Sequence, residues 1–554
     1  MTYIIVLFWR NTMKRIMLYT LFICTIISYV PTNYSKNCTQ KCYPSDCIEP
    51  CECRINSKTF FTLHEPFKTG SPEHDTIFND RLISKKNGLH GVTQVVAFGG
   101  RSTSPETFST YFAPDCQTSF IVSETEEDDT DILARHFNIL TKNKVLELTD
   151  QSNEELATFK SRIYIRPQSS HAGIGLSYKQ AFWEYDNGTR RLWFEVTGPL
   201  VHIENSMNLS EEVISTGGGP ADTVNLPDNK ALPATMTEAF NQSDFCYGRI
   251  DTCRKISETK LAHVDIKVGL FFAKEEMCQL ESYLGVTCPT GNCPTGNYIF
   301  EPIVGNNHHW GFITGSLARF SVWCNSKEEN SLETVFTMHN QYLFSGVERR
   351  SFDVKNKPWS RYMNVYTSKQ QAQEASDLAS ESPDDVSFQA LLGGNSGINV
   401  FTQPVCVDPR FSSTINTALV FTHAHFQGEV GYNFYGRASE CVTLECPWPD
   451  QIAFKHASGE GNTTRIATIN NDFIDVEPIP VEDYDTAIIK KEDLNLDSAA
   501  HPAMLTHTIY GSLSYRYDDT CYPYFMGIGG SYEIAHDNTG LGRWTVWGKG
   551  GFSF

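Results

Sequence analysis

The chain has 554 residues and a formal net charge of −20, from 65 acidic against 45 basic side chains. That balance excludes a general nucleic-acid binder, which must neutralise phosphates with a basic surface. Mean hydropathy is −0.32, which excludes a bundle of membrane helices. With 35 Phe, 24 Tyr and 38 Gly, the composition favours an all-β protein.

The long apolar run lies near the start. Lys14-Arg15 precede Ile16 to Val30, and Pro31 closes the run. A charged head and a short apolar stretch predict an export signal over residues 1–35, with Met13 an alternative start. No Ala-x-Ala site follows, so the cleavage point and an uncleaved anchor both stay open. Cys24 falls in this stretch, and the residue before it is Ile23 rather than a small residue, which excludes a lipoprotein signal. Sixteen of the 17 cysteines remain, an even number in a chain bound for an oxidising compartment. Cys38, Cys42, Cys47, Cys51 and Cys53 crowd together without a paired C-x2-C spacing, which favours disulfides over a zinc site. Residues 36–90 are read as a cysteine-rich leader, either periplasmic or a plug.

Gly91 to Phe98 reads as a strand. The acidic run Ser123 to Asp131 lacks the ligand spacing of a calcium loop and precedes a short helix predicted over Ile132 to Leu140. Steady alternation begins near Ser161. Ile174, Leu176, Tyr178 and Phe182 share one face, Asp186-Asn187-Gly188 supplies a hairpin turn, and Leu192, Phe194 and Val196 return. Ser206 to Asp244 is read as a loop rather than a domain. Val264 to Phe272, Trp310 to Trp323 and Glu333 to Phe344 continue the strands, and the duplicated Cys-Pro-Thr-Gly-Asn at 288–297 is a turn. Ser368 to Asp385 is compatible with a polar helix. From His423 to Arg437, one face carries Ala424, Phe426, Gly428, Val430, Tyr432 and Phe434. The other carries His423, His425, Gln427, Glu429, Asn433 and Arg437. This segment has the length of a strand tilted across a membrane. Ala438 to about Ala503 is a long loop, followed by a strand with Ile509, Leu513, Tyr515 and Tyr517.

The last hairpin runs from Tyr522 to Phe554 around Ala535 to Gly540. Its closing segment, Trp544-Thr-Val-Trp-Gly-Lys-Gly-Gly-Phe-Ser-Phe554, resembles the C-terminal signal strand of bacterial outer-membrane β-barrels. The resemblance covers about Ser161 to Phe554, and only these last residues are specific. It implies a transmembrane antiparallel β-barrel of roughly 12–16 strands over 91–554, located in the outer membrane. It also implies contact with outer-membrane lipid and recognition of Phe552 and Phe554 by the barrel-assembly machinery. Sixteen cysteines outside the signal depart from the cysteine-poor habit of that family.

No catalytic site is expected. Gly394-Asn395-Ser396-Gly397 lacks a full nucleophile elbow, and no phosphate-binding or dinucleotide motif occurs. His423 and His425 have a chelating spacing but no third ligand in view, so neither a metal nor a cofactor is expected. His308-His309 is read as part of a turn. His423, His425, Glu429, Arg437 and Arg516 are instead the candidates for lumen-facing residues, beside Lys267 and Glu533. The expected activity is porin-like passive passage of small solutes. An alternative is a secreted or surface-exposed all-β adhesion protein, which the six Asn-x-Ser/Thr triplets at Asn33, Asn37, Asn187, Asn208, Asn241 and Asn462 would suit.

Overall fold

The computed structural model describes residues 57–65, 90–125, 127, 129–137, 139, 141–142, 157–185, 190–220, 232–250, 255–275, 278–325, 330–381, 394–455, 464–468, 477–518 and 522–554. The stretch expected to be an export signal, the cluster from Cys38 to Cys53 and the expected hairpin turn at 186–188 lie outside the described residues.

Twelve antiparallel strands close into a barrel. They are β1 (Gly91–Ser102), β2 (Gln168–Tyr185), β3 (Arg190–Ser206), β4 (His263–Glu275), β5 (Cys278–Pro289) and β6 (Gly311–Cys324). The ring continues through β7 (Asn330–Leu343), β8 (Arg410–His423), β9 (Phe426–Arg437), β10 (Met504–Tyr517), β11 (Tyr524–Ala535) and β12 (Arg543–Ser553). Each strand pairs with its neighbours in sequence, and β12 closes on β1 from Val92↔Ser553 to Ser102↔Arg543. A further strand, Ile256–Leu261, extends the sheet at the rim by pairing with the upper half of β3. The count falls at the lower bound of the sequence expectation.

Alternation explains why the sheet must close. Leu513, Ile528 and Val430 point outward at 68, 69 and 66% exposure. Ile174, Leu176, Val268, Leu284, Ile415, Leu419, Ile509 and Val546 join them on the same surface. Aromatic side chains flank this aliphatic belt at both rims. Phe182, Trp183, Trp323, Phe421, Phe426, Tyr524 and Phe552 stand at one rim, with Trp310, Phe344, Phe411, Tyr532 and Trp544 at the other. Soluble monomers do not expose a contiguous apolar surface of this extent. A girdled belt around a closed barrel is the transmembrane barrel of outer-membrane type.

The two ends differ. The links 186–189, 276–277, 325–329, 424–425 and 518–523 are short and share one end with Gly91 and Phe554. The links 103–167, 207–262, 290–310, 344–409 and 438–503 share the other end, and their described residues fold into a cap. One cap core gathers Phe112, Phe120, Phe137, Phe240, Trp359 and Tyr362; a second gathers Phe352, Phe401, Trp448 and Phe454. These stretches are therefore folded structure and not plain loops. Ser210–Thr216, expected to be irregular, pairs with Phe159–Tyr164 in a four-stranded cap sheet. That sheet also corrects the strand start near Ser161, which belongs to the cap. The predicted helix over 132–140 is instead a two-residue strand, Ile132–Leu133, and a 3-10 turn, Ala134–Phe137. Its apolar residues pair beside Val122 and Ser123. The polar helix forms at Lys369–Glu381.

Inside the barrel, large rings lie over glycines on the next strand. Trp193 faces Gly269, Tyr283 faces Gly315, Tyr510 faces Gly431 and Trp547 faces Gly529, each pair directly in register. A Cβ on Gly431 would sit 2.2 Å from the Tyr510 ring, so the ring can lie flat only where that carbon is missing. Gly431→Ala should therefore cost about 1–3 kcal/mol through overpacking. Gly548, whose Cβ would meet nothing within 4 Å, should tolerate alanine. Urea unfolding of the refolded barrel in detergent distinguishes the two.

Candidate functional site: the lumen and its mouth

The inward positions of the strands carry charge. Lys179 Nζ lies 2.9 Å from Glu281 and 4.1 Å above the Trp193 ring. Lys267 approaches Glu195 at 3.3 Å. Glu429 accepts hydrogen bonds from the Tyr510 hydroxyl at 3.1 Å and from Ser512 at 3.3 Å. Tyr283 pairs with His339 at 2.8 Å, and Thr287 donates to Asp265 at 2.7 Å. These pairs join adjacent or nearby strands, so the wall of the bore is lined with paired polar groups. Taking such pairs out of water costs more than an aliphatic filling of the same volume.

The lumen-facing candidates are placed as follows. Glu429 points inward and is buried. Arg516 is buried near the short-turn end, 2.8 Å from Asp518. Arg437 sits at the cap-side mouth and donates to Glu440. His423 and His425 lie off the lumen. The chain reverses at 424–425, where Ala424 takes a φ of 49°, and this breaks the alternation assumed to run unbroken through to Arg437. His423 is exposed at the end of β8 beside Asn330, and His425 packs near Tyr515 and Tyr517. Phe552 and Phe554 face outward; Phe554 exchanges two backbone hydrogen bonds of 3.0 Å with Gly91. Ser396 donates to Asp244 in the cap.

At the mouth, residues 57–65 descend from the cap into the bore. The backbone N–H groups of Ser57, Lys58 and Thr59 donate to the carbonyls of Ala113, Tyr111 and Ser498 at 3.1, 2.9 and 2.9 Å. Phe60 lies 3.6 Å below the Arg350 guanidinium, and Phe61 packs edge-on to Phe108 at 4.6 Å. Thr62 donates to Glu440 at 3.1 Å. His64 stacks on Tyr435 at 3.9 Å, and its Nδ1 lies 2.9 Å from Glu533. Arg543 donates to the His64 carbonyl at 2.6 Å. Glu65 stands 3.4 Å from His263. His263 on β4 and Glu533 on β11 belong to nearly opposite walls, so the segment spans the bore.

A buried charge cluster supports it. Arg350 bridges Glu348 at 2.8 Å and Glu440 at 2.5 Å, and His309 meets Glu348 at 2.7 Å. These groups are sealed from solvent. Burial alone would push the Glu440 carboxyl up, but Arg350 and Arg437 outweigh it and hold it well below the usual carboxylate range. Glu348 is lowered against its own burial by Arg350 and His309. Burial, with Arg437 beside it, pushes His501 down to about 3. The sequence reading placed His309 in a turn and gave no role to Phe60, Glu348, Arg350 or Glu440. The alternation of Glu348 and Arg350 on one strand face was the available signal; their partner Glu440 is 90 residues away from Arg350.

The cysteine expectation meets mixed placements. Cys406 and Cys441 lie on paired cap strands, opposite Thr443 and Asp408 respectively. Cys246, Cys293, Cys324 and Cys446 carry exposed thiols.

No protein-family profile matches the chain, and no curated protein matches it. Similar solved structures include an outer-membrane channel from Pseudomonas putida F1, at 8% identity and a TM-score of 0.35, covering 85% of this chain and 98% of that one. The transport unit of the autotransporter AIDA-I from Escherichia coli has 4% identity and a TM-score of 0.28, with 86% and 97% covered. A Pseudomonas aeruginosa FadL homologue has 8% identity and a TM-score of 0.24, with 84% and 89% covered. At these values the likenesses carry no argument, and the barrel rests on its own strand pairing.

Because His501 titrates near 3 when folded and near its ordinary 6.5 when unfolded, the unfolded cap binds the extra proton between those values. Cap stability should therefore fall as pH drops from 6.5 toward 3. The lowered Glu440 and Glu348 add to the loss below their ordinary 4.5. His501→Gln should flatten the upper part of this dependence, read from denaturant midpoints of tryptophan fluorescence between pH 7 and 4.

Proposed function

We propose that this protein is an outer-membrane channel for passive passage of small solutes, held shut in the conformation described. The observation that carries this reading is the charged lumen. A barrel that only had to stand in the membrane would be more stable with aliphatic filling, whereas a bore that is wet in one of its states must keep polar walls. The short-turn end then faces the periplasm and the cap faces outward, as in other barrels of this type. Lys179, Glu281, Lys267 and Glu429 line the path of the solute. Phe552 and Phe554 serve as the signal read by the barrel-assembly machinery, next to the seam where the ring closes.

Two experiments test the reading. In planar bilayers the purified protein should show discrete conductance steps. Lys179→Glu should move the reversal potential in a salt gradient toward cation selectivity. A protein that inserts yet never conducts would mark the barrel as a static anchor for the cap. Separately, Phe552→Ala with Phe554→Ala should reduce the heat-modifiable, membrane-assembled fraction several-fold while leaving export intact. Unchanged assembly would remove the signal role from these residues.

A further inference from the structure

We infer that residues 57–65 are a detachable latch that closes the cap-side mouth of the barrel, with Phe60 and Phe61 as its fixed anchor and Thr62 to Glu65 as the part that releases. This rests on the channel reading above and names the gate of that channel.

The segment has two chemically different halves. Ser57 to Phe61 belong to the cap. Three backbone hydrogen bonds tie them there, and Phe61 is part of the aromatic core with Phe108, Tyr111 and Phe300. Leaving that core would expose two large rings to water, at a high cost. Thr62 to Glu65 belong to the bore and hold on mainly through polar groups, with Leu63 packed against the neighbouring apolar clusters. On release the polar groups exchange their protein partners for water.

The bore half also carries a built-in tension. Glu65 is 8% exposed, yet neither carboxylate oxygen has a hydrogen-bond partner, and one of them stands 3.4 Å from the His263 ring. A buried acceptor in that state destabilises the docked form. Beside it a small cavity opens between the segment and the wall. Thr62, Leu63 and Glu65 line one side, and Asn306, Asn307 and Arg410 line the other. Asn306 Nδ2 and Asn307 Oδ1 are likewise buried without partners. Water entering this cavity would satisfy all three residues and loosen the segment. Against that stands the group of His64, Glu533, Arg543 and Tyr435, which draws the segment onto the wall opposite His263. Docking and release are thus opposed within four residues, as a gate of small energy difference requires.

The test changes the two opposing sides separately. Thr62→Ala/His64→Ala should raise open probability in planar bilayers by at least about tenfold, since it removes two hydrogen bonds to carboxylates and losing even one is worth about that factor. Amide exchange of the 62–65 peptide should quicken by a similar factor. Glu65→Gln removes the buried charge that accepts no hydrogen bond and should act in the opposite sense, lowering open probability severalfold. It keeps the inference falsifiable should the double variant refold poorly. If exchange at 62–65 quickens while conductance steps stay as in the wild type, the segment is not the gate and the inference is overturned. The inference is equally overturned if Glu65→Gln opens the channel. If neither the wild type nor any variant conducts although 62–65 exchanges freely, the channel reading itself has failed.

Discussion

The hydrogen bonds between β12 and β1 are the constraint on which the rest depends. In hydrocarbon no water is available to an unpaired backbone N–H or C=O, so a sheet can cross only when its first and last strands meet. Here the seam runs from Val92↔Ser553 to Ser102↔Arg543. Inside the twelve-strand ring, large rings lie flat over glycines and lysines find carboxylates on adjacent or nearby strands. The segment 57–65 is what reaches from Glu533 on one wall to His263 on the nearly opposite one.

The asymmetry of the connections has a matching logic. Short reversals at one end leave little chain to fold there, whereas the long connections at the other end must bury their own apolar side chains. They do so jointly. Trp359 on one connection donates its indole N–H to the Phe112 carbonyl on another at 3.1 Å, and the Tyr362 hydroxyl reaches the Gly248 carbonyl at 2.6 Å. The cap is therefore a domain assembled from separate excursions, each of which would be unstable alone. Arg350 and Glu440 connect it to the mouth of the barrel. A single guanidinium covers Phe60 of the entering segment, bridges two carboxylates and donates to the Ala499 carbonyl at 2.7 Å. Removing either charge would leave its partner buried and uncompensated.

The sequence alone determined the strand period, the apolar outer face and the membrane-spanning class. A period of two is visible in residues such as Tyr524, Met526 and Ile528 without any partner strand, because lipid selects each alternate position independently. It also determined Glu429 as inward-facing, since that residue sits mid-strand in unbroken phase. Where phase is interrupted, the reading failed. His423 precedes a two-residue reversal of which His425 is the second residue, and that reversal leaves no Gly or Pro mark, so local alternation carried both to the wrong side. Only the tertiary structure decided the closing number of strands, because register and ring size depend on pairings between segments. Only it showed that the described residues of 103–167, 207–262, 290–310, 344–409 and 438–503 form one cap, since their cores combine aromatic residues that no periodicity links. The segment 57–65 is the plainest case. Phe60, Thr62 and His64 have no local pattern, and their partners Arg350, Glu440 and Glu533 lie hundreds of residues further along the chain. Contacts of that range arise when the barrel closes and the cap folds over it, and nothing in the neighbouring sequence encodes them.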